Sequence, residues 1–327
     1  MTTMADATTP SDADYLGRAL RRSHLATTVD QFTEPWCNSI LRTAFLGTRQ
    51  FEAFQQHLNI PRQTLSLRLA YLVRIGLLRK QHYRERPIRQ EYRLTPRGRD
   101  LYANVLAAWA WHRRWGDTRR DTLPARLVHR SCGQSFKPLL VCEHCAEPLS
   151  LDVVSPVHVR SSRQALARTD RSRRWRSPSG AGEPEQRDIL AVIDDRWSVL
   201  IVAAAMLGVG RYDELLRTLA ISSSVLAARL QRLCTLEVLV KRPDPADARR
   251  SEYCLGKAGR DFFPYMLTLS SWGGAGAKHL DTIGWVHRQC GERVQGRMVC
   301  GHCLQHLLPA DVERQQPRAR RASAGGW

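Results

Sequence analysis

Most of this chain is one module of about 150 residues, written twice. Residues 36–101 fall on 197–262 without a gap when moved by 161 positions, and twenty of those 66 positions are identical. They include Trp36/Trp197, Leu46-Gly47/Leu207-Gly208, Leu65/Leu226, Arg68-Leu69/Arg229-Leu230, Glu91-Tyr92/Glu252-Tyr253 and Gly98-Arg99-Asp100/Gly259-Arg260-Asp261. A second element follows in both copies: His129-x2-Cys132-x9-Cys142-x2-Cys145, then His287-x2-Cys290-x9-Cys300-x2-Cys303. The period far exceeds that of a solenoid, so whole domains are repeated. The duplication allows an internal comparison: kept positions are candidates for shared constraint, each needing its own physical reason, and changed ones can separate the two roles.

The 327 residues exceed one small core and call for two or more domains. Lys and Arg outnumber Asp and Glu by 50 to 31, a net charge of +19 that favours a polyanionic partner. No run of 18 apolar residues exists, so no membrane span is expected. The first 30 residues hold acids and no apolar core of a signal peptide, so a cytoplasmic, nucleoid-associated protein is expected. Six of the nine cysteines lie in the repeated tails; Cys37, Cys234 and Cys254 are left over beside apolar residues. That uneven set argues against a disulfide framework.

Each copy has the same order of elements. Ile40, Leu41, Ala44 and Phe45, matched by Ile201, Val202, Ala205 and Met206, have helical spacing. Phe51–Leu58 and Tyr212–Leu219 form a second helix, and Pro61 or Ser222 starts a third. That helix carries Leu65, Leu69 and Leu72, or Leu226, Leu230 and Leu233, on one stripe. Strands begin at Leu77-Leu78 and Val238-Leu239-Val240 and return through Glu91-Tyr92 and Glu252-Tyr253. Thr95-Pro96 then caps a long helix with Trp109, Trp111 and Trp115, a stripe that reads as core or as the wall of a small-molecule site. This is the order of a winged helix-turn-helix.

With the leucines inward, Gln63, Ser66, Leu67 and Ala70 face outward, and Arg62 and Arg68 lie on the flanks. Gln63 suits an adenine edge, Arg62 a guanine edge or phosphate, and Leu67 a thymine methyl. The first wing, with Arg84, Arg86 and Arg89 among its cations, suits backbone phosphate. The second copy offers less: Ser223, Ser224 and Arg229 on the helix, and Arg249 and Arg250 on a wing that also holds Asp244 and Asp247. For Arg68 and Arg229, a phosphate contact and a structural ion pair are equal readings.

These segments resemble the HxlR-type winged helix-turn-helix of bacterial transcription regulators. The resemblance rests on Trp197-Ser-Val-Leu-Ile, Arg211-Tyr-Asp-Glu-Leu, Ile221-Ser-Ser-Ser-Val-Leu-Ala-Ala-Arg-Leu and Tyr253-Cys-Leu-Gly-Lys-Ala-Gly-Arg-Asp. In the first copy it rests on Phe45-Leu-Gly-Thr-Arg-Gln-Phe-Glu-Ala-Phe, Leu65-Ser-Leu-Arg-Leu and Glu91-Tyr-Arg-Leu-Thr-Pro-Arg-Gly-Arg-Asp, with closing Trp115-Gly116 and Trp272-Gly273. It implies double-stranded DNA binding by a dimer joined through terminal helices. Here the two copies could pair within the chain, or two chains could form a homodimer. Some members sense oxidants through an early cysteine; Cys37, beside Trp36, reads as core instead.

The tails have the ligand types and spacing of a tetrahedral zinc site. His129 and Cys132 would form one knuckle and Cys142 and Cys145 the other, with His287, Cys290, Cys300 and Cys303 repeating the set. Gly133 and Gly291 suit the tight knuckle turn, and the nine-residue spacer suits a hairpin. His144 and His302 could replace His129 and His287; a ribbon without metal is the other reading. Four ligands leave no open position for catalysis.

The expected fold is mainly α with small β wings: two winged helix-turn-helix domains, each followed by a zinc-ribbon-like hairpin. The expected boundaries are a disordered 1–13, domains at 14–120 and 187–280, ribbons at 121–154 and 281–312, a basic linker at 155–186 and a disordered basic tail at 313–327. The expected function is sequence-specific DNA-binding regulation with two structural zinc ions per chain. The competing reading is a protein-interaction module without specific DNA readout. No phosphate-cradling loop, nucleophile elbow or repeated carboxylate pair supports an enzyme.

Overall fold

The computed structural model describes residues 19–21, 23–32, 35–85, 88–117, 123–159, 190–244, 247–274 and 282–315. The first copy runs α1 (His24–Phe32), α2 (Pro35–Phe45), α3 (Phe51–Leu58), α4 (Arg62–Arg74), β1 (Leu78–Glu85), β2 (Ile88–Leu94), α5 (Pro96–Arg99) and α6 (Tyr102–Trp115). Its tail adds β3 (Arg126–His129), β4 (Ser135–Phe136), β5 (Pro138–Cys142) and β6 (Val154–Val159). The second copy runs α7 (Leu190–Ile193), α8 (Arg196–Met206), α9 (Tyr212–Leu219), α10 (Ser223–Thr235), β7 (Leu239–Asp244), β8 (Asp247–Leu255), α11 (Lys257–Arg260) and α12 (Phe263–Gly274), with tail strands β9 (Thr282–His287), β10 (Gly296–Cys300) and β11 (Val312–Gln315). Among the described residues, no helix is long and apolar enough to cross a membrane.

The apolar stripes do what their spacing predicts. Leu65, Leu69 and Leu72 in α4, and Leu226, Leu230 and Leu233 in α10, are completely or almost completely buried. Each such leucine stabilises the fold by about 1.5–3 kcal/mol. Cys37 is core, as expected from its neighbours. Ser222 sits at the N-cap of α10, yet its side chain makes no capping bond there.

The expected single long helix after each wing is two helices. Thr95 caps only the short α5, accepting from the Gly98 amide at 3.0 Å. A Cβ on Gly98 would lie 2.2 Å from the Leu77 carbonyl oxygen, and one on Gly259 would lie 2.2 Å from that of Val238. No side chain fits such a close approach, which gives the repeated glycine its physical reason.

The helix–turn before each third helix needs a left-handed residue. Asn59 fills it in the first copy (φ 46°) and Ala220 in the second (φ 50°). Asparagine and glycine tolerate this region; alanine is strained there by roughly 1 kcal/mol or more. Ala220→Gly is therefore expected to raise stability by up to about 1 kcal/mol in urea denaturation. An unchanged or lower midpoint would show that the turn carries no such strain.

The copies are related by a pseudo-two-fold through α6 and α12. Trp111 Nε1 donates to the Ala258 carbonyl at 2.7 Å, and Trp272 Nε1 donates to the Arg97 carbonyl at 3.0 Å. These residues correspond under the 161-residue offset, so the two bonds are equivalents under the pseudo-two-fold. The counterpart of Trp272 is thus Trp111. Trp115 instead donates to Asp261 at 2.9 Å, beside an Arg114–Asp261 ion pair at 2.9 Å. Near the axis, Asn104 Nδ2 donates to the carbonyl of Tyr265, its own counterpart, at 2.9 Å. The chain pairs within itself, and α1 adds an unexpected arm from the first copy onto α12, with Asp30 ion-paired to Arg196.

The tails exchange strands about the same axis. β5 pairs with β10 antiparallel, centred on Leu140 opposite Met298. β6 pairs with β9, and β11 pairs with β3. The expected boundaries move accordingly: Ser155–Val159 belongs to β6 rather than to a linker, and Glu313–Gln315 belongs to β11 rather than to a disordered tail. The rest of the basic linker, from Arg160, lies outside the described residues.

Candidate functional site

The outer face of α4 is built as the stripe predicts. Arg62, Gln63, Ser66 and Ala70 are exposed, and Leu67 is 59 % exposed despite being apolar. The Arg62 guanidinium lies over the Phe51 ring at 4.9 Å, held at the start of α4 by a cation–π contact. Arg68 is half-buried on the flank.

The corresponding positions of α10 are arranged differently. Ser223, which stands where Arg62 stands, is bonded to Tyr212, which stands where Phe51 stands: the hydroxyls are 2.7 Å apart and Tyr212 also donates to the Ser223 carbonyl at 3.0 Å. Ser224 is exposed. Arg229 gives its Nε to Asp195 at 2.8 Å, while the same carboxylate caps α8 by accepting from the Ser198 amide at 2.8 Å. Of the two readings left open for Arg229, the ion pair is present.

The wings are two-stranded hairpins. In the first, Arg79 lies opposite Arg93 and Arg84 opposite Arg89. Arg89 is exposed; Arg93 is paired with Glu91. Arg86 and the side chain of Arg84 lie outside the described residues, as does the side chain of Arg249. In the second wing Arg250 is paired with Asp247 at 3.4 Å. Asp244 is buried and anchors Arg211 at 2.7 Å, an ion pair that raises the arginine's pKa through the hydrogen bond to Asp244.

All eight predicted tail residues come together, but not as expected. His129 and Cys132 meet Cys300 and Cys303; Cys142 and Cys145 meet His287 and Cys290. Each cluster takes one knuckle from each copy. The within-copy ribbon does not form, because β5 and β10 pair across the axis and carry the second knuckles to opposite partners. Gly133 and Gly291 hold the first knuckles at φ 68° and 74°, and Ala146 and Leu304 hold the second at φ 61° each. His129 and His287 are buried and fill the histidine positions, whereas His144 and His302 are exposed outside both clusters.

Within each cluster the ligand atoms all lie within 4.8 Å of one another. His287 Nδ1 is 3.3 Å from the sulfurs of both Cys145 and Cys290, Cys142 Sγ is 4.0 Å from Cys290 Sγ, and His129 Nδ1 is 3.2 Å from Cys303 Sγ. Metal–sulfur and metal–nitrogen bonds of ordinary zinc length put tetrahedral ligands about 3.4–3.8 Å apart. These separations fit one cation in each cluster. One thiol of each cluster also sits below its ordinary pKa: Cys303 through the Gln305 amide donating to its sulfur, and Cys142 where amide bonds from Cys145 and His144 outweigh burial. The neighbouring thiols Cys145 and Cys300 are shifted the other way, up from the ordinary value.

The HxlR-like helix-turn-helix family model matches residues 32–120 and again 192–281. An uncharacterized HTH-type transcriptional regulator of Mycobacterium tuberculosis is 42 % identical over 126 residues, 38 % of this chain and 77 % of that protein. The uncharacterized HTH-type transcriptional regulator YdeP of Bacillus subtilis is 29 % identical over 113 residues, 34 % of this chain and 88 % of its own. A solved structure of a candidate transcription factor of Pseudomonas aeruginosa is 31 % identical, covers 34 % of this chain and 74 % of that one, and has a TM-score of 0.27. With its domain matched in both halves, this chain belongs to the HxlR-like helix-turn-helix family and carries the family's domain twice.

Proposed function

We propose that this chain is a cytoplasmic, nucleoid-associated transcriptional regulator that reads double-stranded DNA as a built-in pseudo-dimer. The carrying observation is the exposed outer face of α4, with Gln63, Ser66 and Leu67 in its first turns and Arg62 posed over Phe51. Such a face suits base edges in the major groove, and exposed Arg89 on the adjoining wing suits phosphate. The α10 face of small residues suits a second, weaker half-site, so the operator is an imperfect palindrome. Two zinc ions occupy the cross-copy clusters as structural clamps. His129, Cys132, Cys300 and Cys303 hold one, and Cys142, Cys145, His287 and Cys290 the other. All four positions around each are protein ligands, so the ion supplies cohesion rather than catalysis.

Selection from random duplexes, followed by anisotropy titration at several salt concentrations, tests this reading. The expected result is two linked half-sites, with affinity falling steeply as salt rises, about 0.9 in log–log slope for each phosphate engaged. A weak, salt-insensitive response with no enriched sequence would favour the interaction module.

A further inference from the structure

The duplication supplies a control for a cleft that exists beside the axis in the first copy. It lies between α2, α6, the segment before β3, Ile193 and Arg314, so both copies line it. Phe45, Leu106, Trp109 and Leu127 give it apolar walls, and Arg42 and Arg314 are the only charged residues lining it among the described residues. Arg42 Nε is buried without a hydrogen-bond partner among the described residues, and its Nη2 reaches Ser39 at 3.3 Å. Arg314 donates to the Phe45 carbonyl, which neutralises the C-terminal end of α2. Burial pushes the Tyr102 phenol up to about 12, so its hydroxyl is a proton donor at this wall.

The second copy keeps a leucine, Leu267, for Leu106 but changes both arginines and most of the walls. Ala203 stands for Arg42, Pro156 for Arg314, Phe263 for Tyr102 and Ser270 for Trp109. Trp285 stands for Leu127 and packs edge-on against Phe263, ring centroids 5.2 Å apart. Where one copy lines an apolar cleft with two guanidinium groups, the other carries alanine and proline at those two positions and a tryptophan in place of Leu127.

We infer that the first-copy cleft is a binding site for a small amphipathic carboxylate, its apolar body between Phe45, Trp109 and Leu127 and its carboxylate on Arg42 and Arg314. Two guanidinium groups lining an apolar cleft match that chemistry, because charge-assisted bonds from guanidinium to carboxylate are about twice as strong as neutral ones. The site stands apart from the DNA reading, since binding is measured without DNA.

Calorimetry of the full chain with octanoate, and with octanol as the uncharged arm, tests it. Saturable binding of one octanoate per chain is expected, with octanol at least tenfold weaker. Arg42→Ala is expected to weaken octanoate by roughly ten- to a hundredfold. Leu127→Trp, which transplants the tryptophan that the second copy already accommodates, is expected to abolish binding. Arg42→Met serves if the tryptophan variant does not fold. No saturable binding to the wild type, equal affinity for octanol, or unchanged affinity in the folded variants would overturn the assignment.

Discussion

Replacing Cys132 and Cys142 together is expected to empty both metal centres, although both residues belong to one copy's tail. Replacing Cys132 and Cys300 together, one from each copy, is expected to leave one centre filled. The two pairs give opposite outcomes because each cluster draws its knuckles from both copies: Cys132 shares a cluster with Cys300, while Cys142 lies in the other. A within-copy ribbon predicts the reverse, one centre surviving the first pair and none the second. Zinc released from purified protein under reducing conditions, counted per chain, decides between them, starting from two in the wild type. The effect on stability is large. Structural zinc sites contribute about 10–16 kcal/mol of apparent binding free energy, which becomes folding free energy where no site exists in the unfolded chain. Chelation should therefore loosen the exchanged strands β6/β9 and β3/β11 and lower the melting temperature of the whole pair, not of one half. A wild-type chain that purifies reduced, folded and free of metal would end the zinc assignment.

The local parts of this architecture are legible in the sequence, and the long-range partners are not. The leucine stripes of α4 and α10 need only helical periodicity, and they face the core as read. The tail residues could be picked out because ligand type and knuckle spacing are local. Which knuckles meet is settled by strand pairing more than 140 residues apart, as with Cys145 and His287, and two identical spacings cannot say whether they close within or between copies. The symmetry held a clue. The nine residues between Cys132 and Cys142 contain β4 and most of β5, and β5 is centred on Leu140, a residue able to pair with its own counterpart Met298. The closing tryptophan failed for a related reason. Trp115-Gly116 looks like Trp272-Gly273, yet the constant 161-residue offset points to Trp111, whose indole makes the equivalent bond. The arm α1 left little signal because its partner surface, α12, lies in the other copy. In the second copy, Ser223 reads as available in isolation and Arg229 as open between phosphate and an ion pair; their partners Tyr212 and Asp195 are close only in the fold.

Those engaged residues lead to the second large effect. Arg62→Ala with Gln63→Ala is expected to reduce operator affinity by a hundredfold or more, and Ser223→Ala with Ser224→Ala by less than about threefold. A good side-chain pair to a base edge is worth about 1–3 kcal/mol, so two lost contacts reach that range. The first pair is exposed, and Arg62 is pre-positioned by Phe51, so little ordering is needed on binding. In the second pair the Ser223 hydroxyl already bonds to Tyr212, so its removal costs a contact within the protein rather than one to DNA. The second wing points the same way, with Arg250 shared with Asp247. Anisotropy titrations of both double variants on one selected operator, at fixed salt, make the comparison. Arg62→Lys separates charge from shape: a lysine keeps the phosphate attraction but cannot make the bidentate contact, so an intermediate loss with relaxed sequence preference is expected. Equal losses from the two double variants would show that both copies read DNA alike, and would remove the assignment of α4 as the dominant reader.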